Sequence, residues 1–253
     1  MKIIYFTSTG NCLAAAKRFD AELLSIPQLE REKKYEIEDD AVGIITPVYG
    51  FSMPEPVSAY LAKAKIRADY VFVIATYGNI AGGVLHAVKK LLEAHGNHAD
   101  YYELLLTIDN YLPQYEVNKQ LAMEKHTEEN LNRIVSEVDA RTRKDENSGF
   151  GWNLASDILG AAMGPFTKKR AMNWFRLSDD CIGCGICVKV CPVSNVKQTG
   201  KEKPVFSDAC VSCFACTHNC PQKAIHLKNE RSGVRYRNSE VTLKEIISAN
   251  NQE

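Results

Sequence analysis

The sequence predicts an α/β fold, a doubly wound parallel sheet, followed by a small α+β domain, and three observations carry that reading. Over the first 145 residues, short continuous apolar runs alternate with segments of helical periodicity. That is the pattern of parallel strands buried on both faces and covered by crossover helices. Eight of the nine cysteines fall between Cys181 and Cys220, against a single one in the 180 residues before them. The third observation is a loop, Thr7-Ser8-Thr9-Gly10-Asn11, set between the first apolar run and the first helical segment.

Taken in order, residues 2–6 (K-I-I-Y-F) are β-branched and aromatic and read as a strand. Residues 12–24 (C-L-A-A-A-K-R-F-D-A-E-L-L) then carry helical spacing. Further strands are expected at Ala41–Thr46, Tyr70–Thr76 and Tyr101–Thr107, with helices at Pro54–Lys65, Ala81–His95 and Asn118–Arg143. A weak extra strand lies near Tyr35–Ile37. Residues 146–175 read as a linker and junction, in which Trp152, Phe166, Trp174 and Phe175 pack one domain on the other. The cysteine-rich domain covers 176–228, and the tail 229–253 is an extended piece ended by a helix that Ser239 or Thr242 caps, with no chemistry evident.

Sheets of this kind bind ligands beyond the carboxyl ends of their strands, near the topological switch point, so the loops there decide function. Thr7–Asn11 offers three hydroxyls, a flexible Gly10 and a run of backbone N–H groups at a helix start. Together these form a phosphate cradle that needs no Lys or Arg. The bland alternative is ordinary helix capping by Ser8 or Thr9. After Thr46 comes Pro47-Val48-Tyr49-Gly50, and after Thr76 comes Tyr77-Gly78-Asn79. Each supplies an aromatic ring and a glycine on one edge of the sheet, where a flat ring could be held.

On these residues the front of the chain resembles flavodoxins, over about the first 145 residues. I-I-Y-F-T-S-T-G-N looks like the flavodoxin phosphate loop, and the two Tyr-Gly loops look like those that hold the isoalloxazine. The resemblance implies FMN, with Thr7, Ser8, Thr9, Gly10 and Asn11 on its phosphate. Tyr49, Tyr77, Gly78 and Asn79 would surround the ring, with Pro47, Gly50 and Thr76 in the same loops. Cys12 departs from the family, many of whose members carry Thr there, which weakens one phosphate hydrogen bond. A small residue at the helix start, not a reactive thiol, is the expected role of Cys12.

The back of the chain holds an internal repeat. Cys181, Cys184, Cys187, Cys191 and Pro192 recur 29 residues later as Cys210, Cys213, Cys216, Cys220 and Pro221, both runs being C-x2-C-x2-C-x3-C-P. A C-x2-C-x2-C loop places three thiolates on three irons of one cubane and cannot reach the fourth; in the bacterial two-cluster arrangement, which these runs resemble, the last Cys of the other run supplies it. Cys181, Cys184, Cys187 and Cys220 are thus expected on one [4Fe–4S] cluster, and Cys210, Cys213, Cys216 and Cys191 on a second. Gly183, Gly185, Ser212 and Ala215 let backbone N–H groups approach the cluster sulfurs. Zinc has no use for a third Cys at each turn or for the closing C-P, and disulfide frameworks belong to short secreted chains. His218 stands at the repeat position of Lys189 and is expected on the surface or just behind the ligands. With this half added, the chain resembles the family that fuses a flavodoxin-like domain to a bacterial-type two-cluster ferredoxin domain.

Charge and composition narrow the partners. Formal charge is zero and no basic, aromatic-rich face is visible, which points away from nucleic acid. Arg176–Lys228 carries seven Lys or Arg against four Asp or Glu, an excess that two clusters of about −2 each would reverse. No run approaches the length of a membrane span, and the expected setting is reducing and cytoplasmic. The functional expectation is an electron-transfer protein passing electrons between FMN and two clusters, serving redox partner proteins or small acceptors, with a homodimer as one allowed arrangement. Two other readings stand beside it: an FMN- and iron–sulfur-dependent oxidoreductase with its own substrate, and a ferredoxin-type carrier or docking partner whose flavodoxin-like domain has lost FMN.

Overall fold

The structure, a computed structural model, describes residues 1–146 and 174–251. Its first half is a parallel five-stranded sheet formed by β1 (Lys2–Tyr5), β2 (Glu22–Ser25), β4 (Ala41–Pro47), β6 (Tyr70–Tyr77) and β7 (Tyr101–Leu106), in the spatial order β2-β1-β4-β6-β7. A separate parallel ribbon pairs β3 (Glu36–Glu38) with β5 (Lys65–Arg67). With that ribbon set aside, the five central strands run 2-1-3-4-5, the flavodoxin-like order, and the switch point falls between β1 and β4. β4 and β6 are buried along nearly their whole length, which explains their continuous apolar character.

Helices cover both faces. One layer buries α1 (Asn11–Ala16) and α6 (Thr127–Asp139) with Ile3, Ile45, Phe72 and Tyr101. The other holds α2 (Ile26–Glu32), α3 (Glu55–Leu61) and α4 (Val84–Ala94) against Ile4, Ile44 and Val73. The structure corrects two helices. The segment 12–24 is not one helix: it stops after Ala16, Phe19 packs on Phe72 with ring centroids 5.3 Å apart, and Glu22–Ser25 pairs with Lys2–Tyr5 as an edge strand. Sheet pairing there overrides a local helical pattern. Asn118–Arg143 likewise divides into α5 (Val117–Leu121) and α6, because the chain between them turns inward at the buried Lys125 and at His126, whose φ is +48°. The strand near Tyr35–Ile37 exists as β3, yet it joins the outer ribbon and not the central sheet.

The second half is closed by an antiparallel pair, β8 (Phe175–Leu177) with β11 (Ile225–Leu227). Between them lie α7 (Ile186–Lys189), a two-residue ribbon of β9 (Val196–Lys197) with β10 (Val205–Phe206), and α8 (Ala215–His218). Cys187, Cys191 and Cys216 belong to its buried core together with Val196 and Ile225. The two halves share an interior. The connection after β7 places Leu112 and Val117 against Phe214, Leu227 and Tyr236, and Trp174 stacks on Phe214 at 6.1 Å. Trp174 thus sits in that inter-half packing, whereas Trp152 and Phe166 lie outside the described residues.

The tail ends in α9 (Leu243–Asn250), which Thr242 caps through a capping box with Glu245. Ile246 and Ala249 are buried in the same cluster as α1, and the Ser25 hydroxyl donates to the Ala249 carbonyl. The C-terminal segment therefore packs on the sheet half, not on the cysteines alone.

Candidate functional site

Thr7–Gly10 leaves the end of β1 beside the switch point and is buried: Thr7 and Thr9 are each 2% exposed and Ser8 7%. Gly10 carries φ +103°, and a Cβ there would come within 3.0 Å of both Asn238 and Val241, so the position takes glycine for its backbone angle and for the close approach of the tail. No side chain caps α1, so capping by Ser8 or Thr9 is not what the loop does.

What the loop offers is donors. Each hydroxyl oxygen already accepts a hydrogen bond: Thr7 from the Gly10 N–H at 3.2 Å, Ser8 from the Tyr49 hydroxyl at 2.9 Å, and Thr9 from the Asn110 amide at 2.6 Å. Among the described residues the three hydroxyl protons have no acceptor, and the N–H groups of Ser8, Thr9, Asn11 and Cys12 have no backbone acceptor. A buried loop with spare donors and used acceptors suits an anion.

The loop's carbonyls are tied to the cysteine half. Asn219 Nδ2 bridges the Ser8 carbonyl (3.2 Å) and the Ala215 carbonyl (3.0 Å), and Asn250 Nδ2 bridges those of Thr7 (3.0 Å) and Val190 (3.2 Å). Asn219 directly precedes Cys220 and Val190 directly precedes Cys191. Asn11 is held from two sides, donating to Thr107 Oγ1 and the Ile108 carbonyl while accepting from the Tyr236 hydroxyl at 2.7 Å and the Asn238 amide. None of Asn110, Asn219, Tyr236, Asn238 and Asn250 stood out in the sequence, because polar residues that clasp backbone across domains follow no spacing rule.

The other candidate loops lie on the same edge. Pro47 pairs with Thr76 across β4 and β6. The Thr76 hydroxyl meets Cys12 Sγ at 3.1 Å, and burial pushes the Cys12 thiol up to about 12, which keeps it protonated and inert. Tyr49 and Ser52 bond each other's backbone around Gly50 (φ +57°) and Phe51 (φ +69°), a tight reversal with both central residues left-handed. Gly50 stands exposed at its tip. Gly78 is required by Asp109, whose Cβ would lie 2.2 Å from a Cβ at 78. Asn79 donates to Asp109 at 2.8 Å, and the buried Lys125 ammonium, its pKa lowered by desolvation, donates to the Gly78 carbonyl at 2.7 Å. The structure thus unites Thr7–Asn11 with Tyr49 directly, while Tyr77–Asn79 is braced by the connection after β7.

The cysteines form two groups. Cys181, Cys184, Cys187 and Cys220, with Pro221, line one pocket, and burial followed by the neighbouring Cys184, Cys220 and Cys181 pushes the Cys187 thiol up to about 12. Cys210, Cys213 and Cys216 lie near one another and near Cys191, and burial raises each of these three thiols. The repeat has local logic: Gly183 and Gly185 have positive φ, and Ser212 and Phe214 adopt the same sign at the equivalent positions. Cys184 is exposed, whereas Cys213 and Ala215 share the buried cluster that contains Cys12 and touches Tyr49. The first group therefore faces outward and the second inward, against the sheet half. His218 is buried, not on the surface. Its Nε2 faces the Asn110 carbonyl at 2.9 Å while Nδ1 accepts from the Tyr236 N–H at 3.1 Å, and burial lowers its pKa to about 4.

A family model for the 4Fe-4S dicluster domain matches residues 180–225. The chain joins a flavodoxin-like α/β domain to a 4Fe–4S dicluster domain. No curated protein matches it. Among solved structures, it is similar to the Trp repressor binding protein from Bacillus subtilis, at 13% identity over 57% of this chain and 100% of that one, with a TM-score of 0.37. A putative flavoprotein from Bacteroides eggerthii is 16% identical over 56% of this chain and 99% of its own, with a TM-score of 0.35. A flavoprotein in complex with FMN from Lactobacillus acidophilus is 13% identical over 56% and 97%, with a TM-score of 0.32. The fold assignment rests on the strand order. Among the described residues, no helix is long and apolar enough to cross a membrane.

Proposed function

We propose that this iron–sulfur protein is an electron carrier that exchanges electrons between FMN on its flavodoxin-like half and two [4Fe–4S] clusters. Cys181, Cys184, Cys187 and Cys220 would hold the outer cluster, and Cys210, Cys213, Cys216 and Cys191 the inner one. The crossed grouping of the remote cysteines supports the ligand sets: Cys220 lines the pocket of the first triplet, and Cys191 lies beside the second. The observation that carries the FMN reading is the donor-rich, acceptor-spent loop Thr7–Asn11, whose chemistry fits a phosphate dianion. Thr7 and Thr9 would hold that phosphate through their hydroxyls and Ser8, Gly10 and Asn11 through the loop backbone, with Tyr49, Gly78 and Asn79 toward the ring. Bound there, FMN would supply a centre that trades electrons in ones or twos, against one per cluster.

The chain's own residues set the route. Cys184 is exposed and its neighbour Ile182 is 60% exposed, so redox proteins or small acceptors would meet the outer cluster. Cys191, Cys213 and Cys216 of the inner group are buried, and Cys213 packs in the cluster of the sheet half, which would keep water from that side of the path. The division into 1–145, 146–175, 176–228 and 229–253 belongs to the same proposal.

A second reading, a dicluster carrier without flavin, is favoured by the burial of Thr7, Ser8 and Thr9 beneath the dicluster half. Anaerobic analysis of iron, sulfide and flavin separates the two. The first reading expects about eight irons and one FMN per chain, with Gly10→Glu losing the FMN and keeping the iron. Full iron with no FMN retained at micromolar concentration would leave the flavin-free carrier.

A further inference from the structure

Four residues that hydrogen-bond to the inner cysteines or to the residues just before them, Asn195, Ser212, Asn219 and Asn250, each carry a buried polar atom without a partner, and Arg235, bonded instead to Ser232, Ile225 and Glu230, carries a fifth. Among the described residues, five side-chain atoms are buried and unpaired: Asn195 Oδ1, Ser212 Oγ, Asn219 Oδ1, Arg235 Nε and Asn250 Oδ1. Asn195 gives its N–H to Cys191 Sγ at 3.2 Å, and Ser212 gives its own to Cys210 Sγ at 3.4 Å. Asn219 and Asn250 are the two clasps on the loop carbonyls. A buried hydroxyl or amide without a partner costs free energy, so this concentration marks a place where something polar is to be met.

Ser8 belongs to the same surround but comes from the other half of the chain. It is buried, with 7% exposure, its oxygen accepts from Tyr49, and its own proton has no acceptor among the described residues. Tyr49 packs against the buried cluster of side chains that contains Cys213 and Ala215. Asn219, three residues after Cys216, fixes the Ser8 carbonyl.

We propose that Ser8 and Tyr49 act as positioning residues of the inner cluster, the Tyr49 hydroxyl orienting and strengthening the Ser8 hydroxyl as a donor toward the sulfurs of the group held by Cys210, Cys213, Cys216 and Cys191. A donor to cluster sulfur stabilises the more negative, reduced state and raises the reduction potential, and a donor that itself accepts a hydrogen bond is the stronger for it. The flavodoxin-like half thereby sets the potential of a cluster whose ligands all lie in the other half. Thr7 and Thr9 keep their protons for the loop's own anion. This inference rests on the inner cluster of the proposed function and not on FMN.

The test is anaerobic redox titration of the full-length, cluster-loaded protein followed by electron paramagnetic resonance, with iron content measured on each sample. Tyr49→Phe, which removes one oxygen and keeps the ring, is expected to make the inner cluster roughly tenfold harder to reduce, about 59 mV lower for a one-electron couple. Ser8→Ala should lower it at least as far, Ser8→Thr should restore it, and Tyr49→Phe should add nothing in the Ser8→Ala background. The outer cluster serves as the internal control and should not move. Unchanged potentials in loaded Tyr49→Phe and Ser8→Ala, or equal shifts of both clusters, would overturn the proposal. Failure of the wild-type chain to assemble an inner cluster would overturn it together with the ligand assignment, whereas absence of FMN with the shifts intact would remove only the flavin.

Discussion

Gly78 shows how a single residue fixes a loop. With Asp109 Cβ 2.2 Å from where its Cβ would stand, Gly78→Ala must push the Tyr77–Asn79 loop away from the connection that braces it. The expected outcome is a loss of roughly 1–3 kcal/mol, the usual cost of overpacking, read from denaturant midpoints, together with weaker FMN retention. Stability equal to wild type would show that the loop is free to move. The glycine itself was legible in the sequence as part of a Tyr-Gly pair, but its reason was not, since Asp109 lies 31 residues away. Lys125 was not legible either: a lysine in a polar stretch carries no mark that its ammonium will be buried on a carbonyl. Cys12 was legible as a small residue at a helix start, whereas its full burial comes from the packing of α1 on the sheet.

At the scale of elements, α9 and α8 hold the tail and the inner cysteines on the sheet half. Thr242 caps α9, and Glu245 receives Lys17 Nζ at 2.8 Å, so that bond, followed by those from Thr242, pulls the Glu245 carboxyl down to about 2 from 4.5. A lowered folded-state pKa adds stability above the unfolded value and loses it as pH falls through the folded one. The stability gap between wild type and Glu245→Gln should therefore be open at pH 6 and close between pH 4.5 and 2, which urea midpoints across that range would show. A gap that does not depend on pH would sink the assignment to this ion pair. Phe214 is 2% exposed and meets Tyr111, Trp174 and Phe175, joining the two halves. Phe214→Ala should cost about 3–5 kcal/mol, observed as early exposure of the dicluster half in hydrogen exchange. The strands were legible because burial on both faces leaves continuous apolar runs. The edge strand Glu22–Ser25 was not, since only its pairing with Lys2–Tyr5 separates it from the helix before it.

For the whole molecule, the order of the halves was written in the sequence while their contact was not. The cysteine repeat and the loop Thr7–Asn11 could each be read alone, yet nothing in either spacing says that Asn219 and Asn250 will lock one to the other. Crossed ligation is the prediction proper to this scale. Cys220→Ala should damage the outer cluster and Cys191→Ala the inner one, because each remote thiol sits with the other run's triplet. Paramagnetic resonance of these variants beside triplet knockouts identifies the site lost, and damage to the Cys210–Cys216 site in Cys220→Ala would mean local ligation. The most direct test of the central claim, that flavin and clusters exchange electrons inside one molecule, is anaerobic stopped-flow mixing of the oxidised, FMN-loaded chain with a substoichiometric reductant. The account predicts that cluster and flavin absorbance change in linked phases whose rate does not depend on protein concentration. Phases that scale with concentration, or a fully iron-loaded chain in which the flavin signal never follows the clusters, would contradict it.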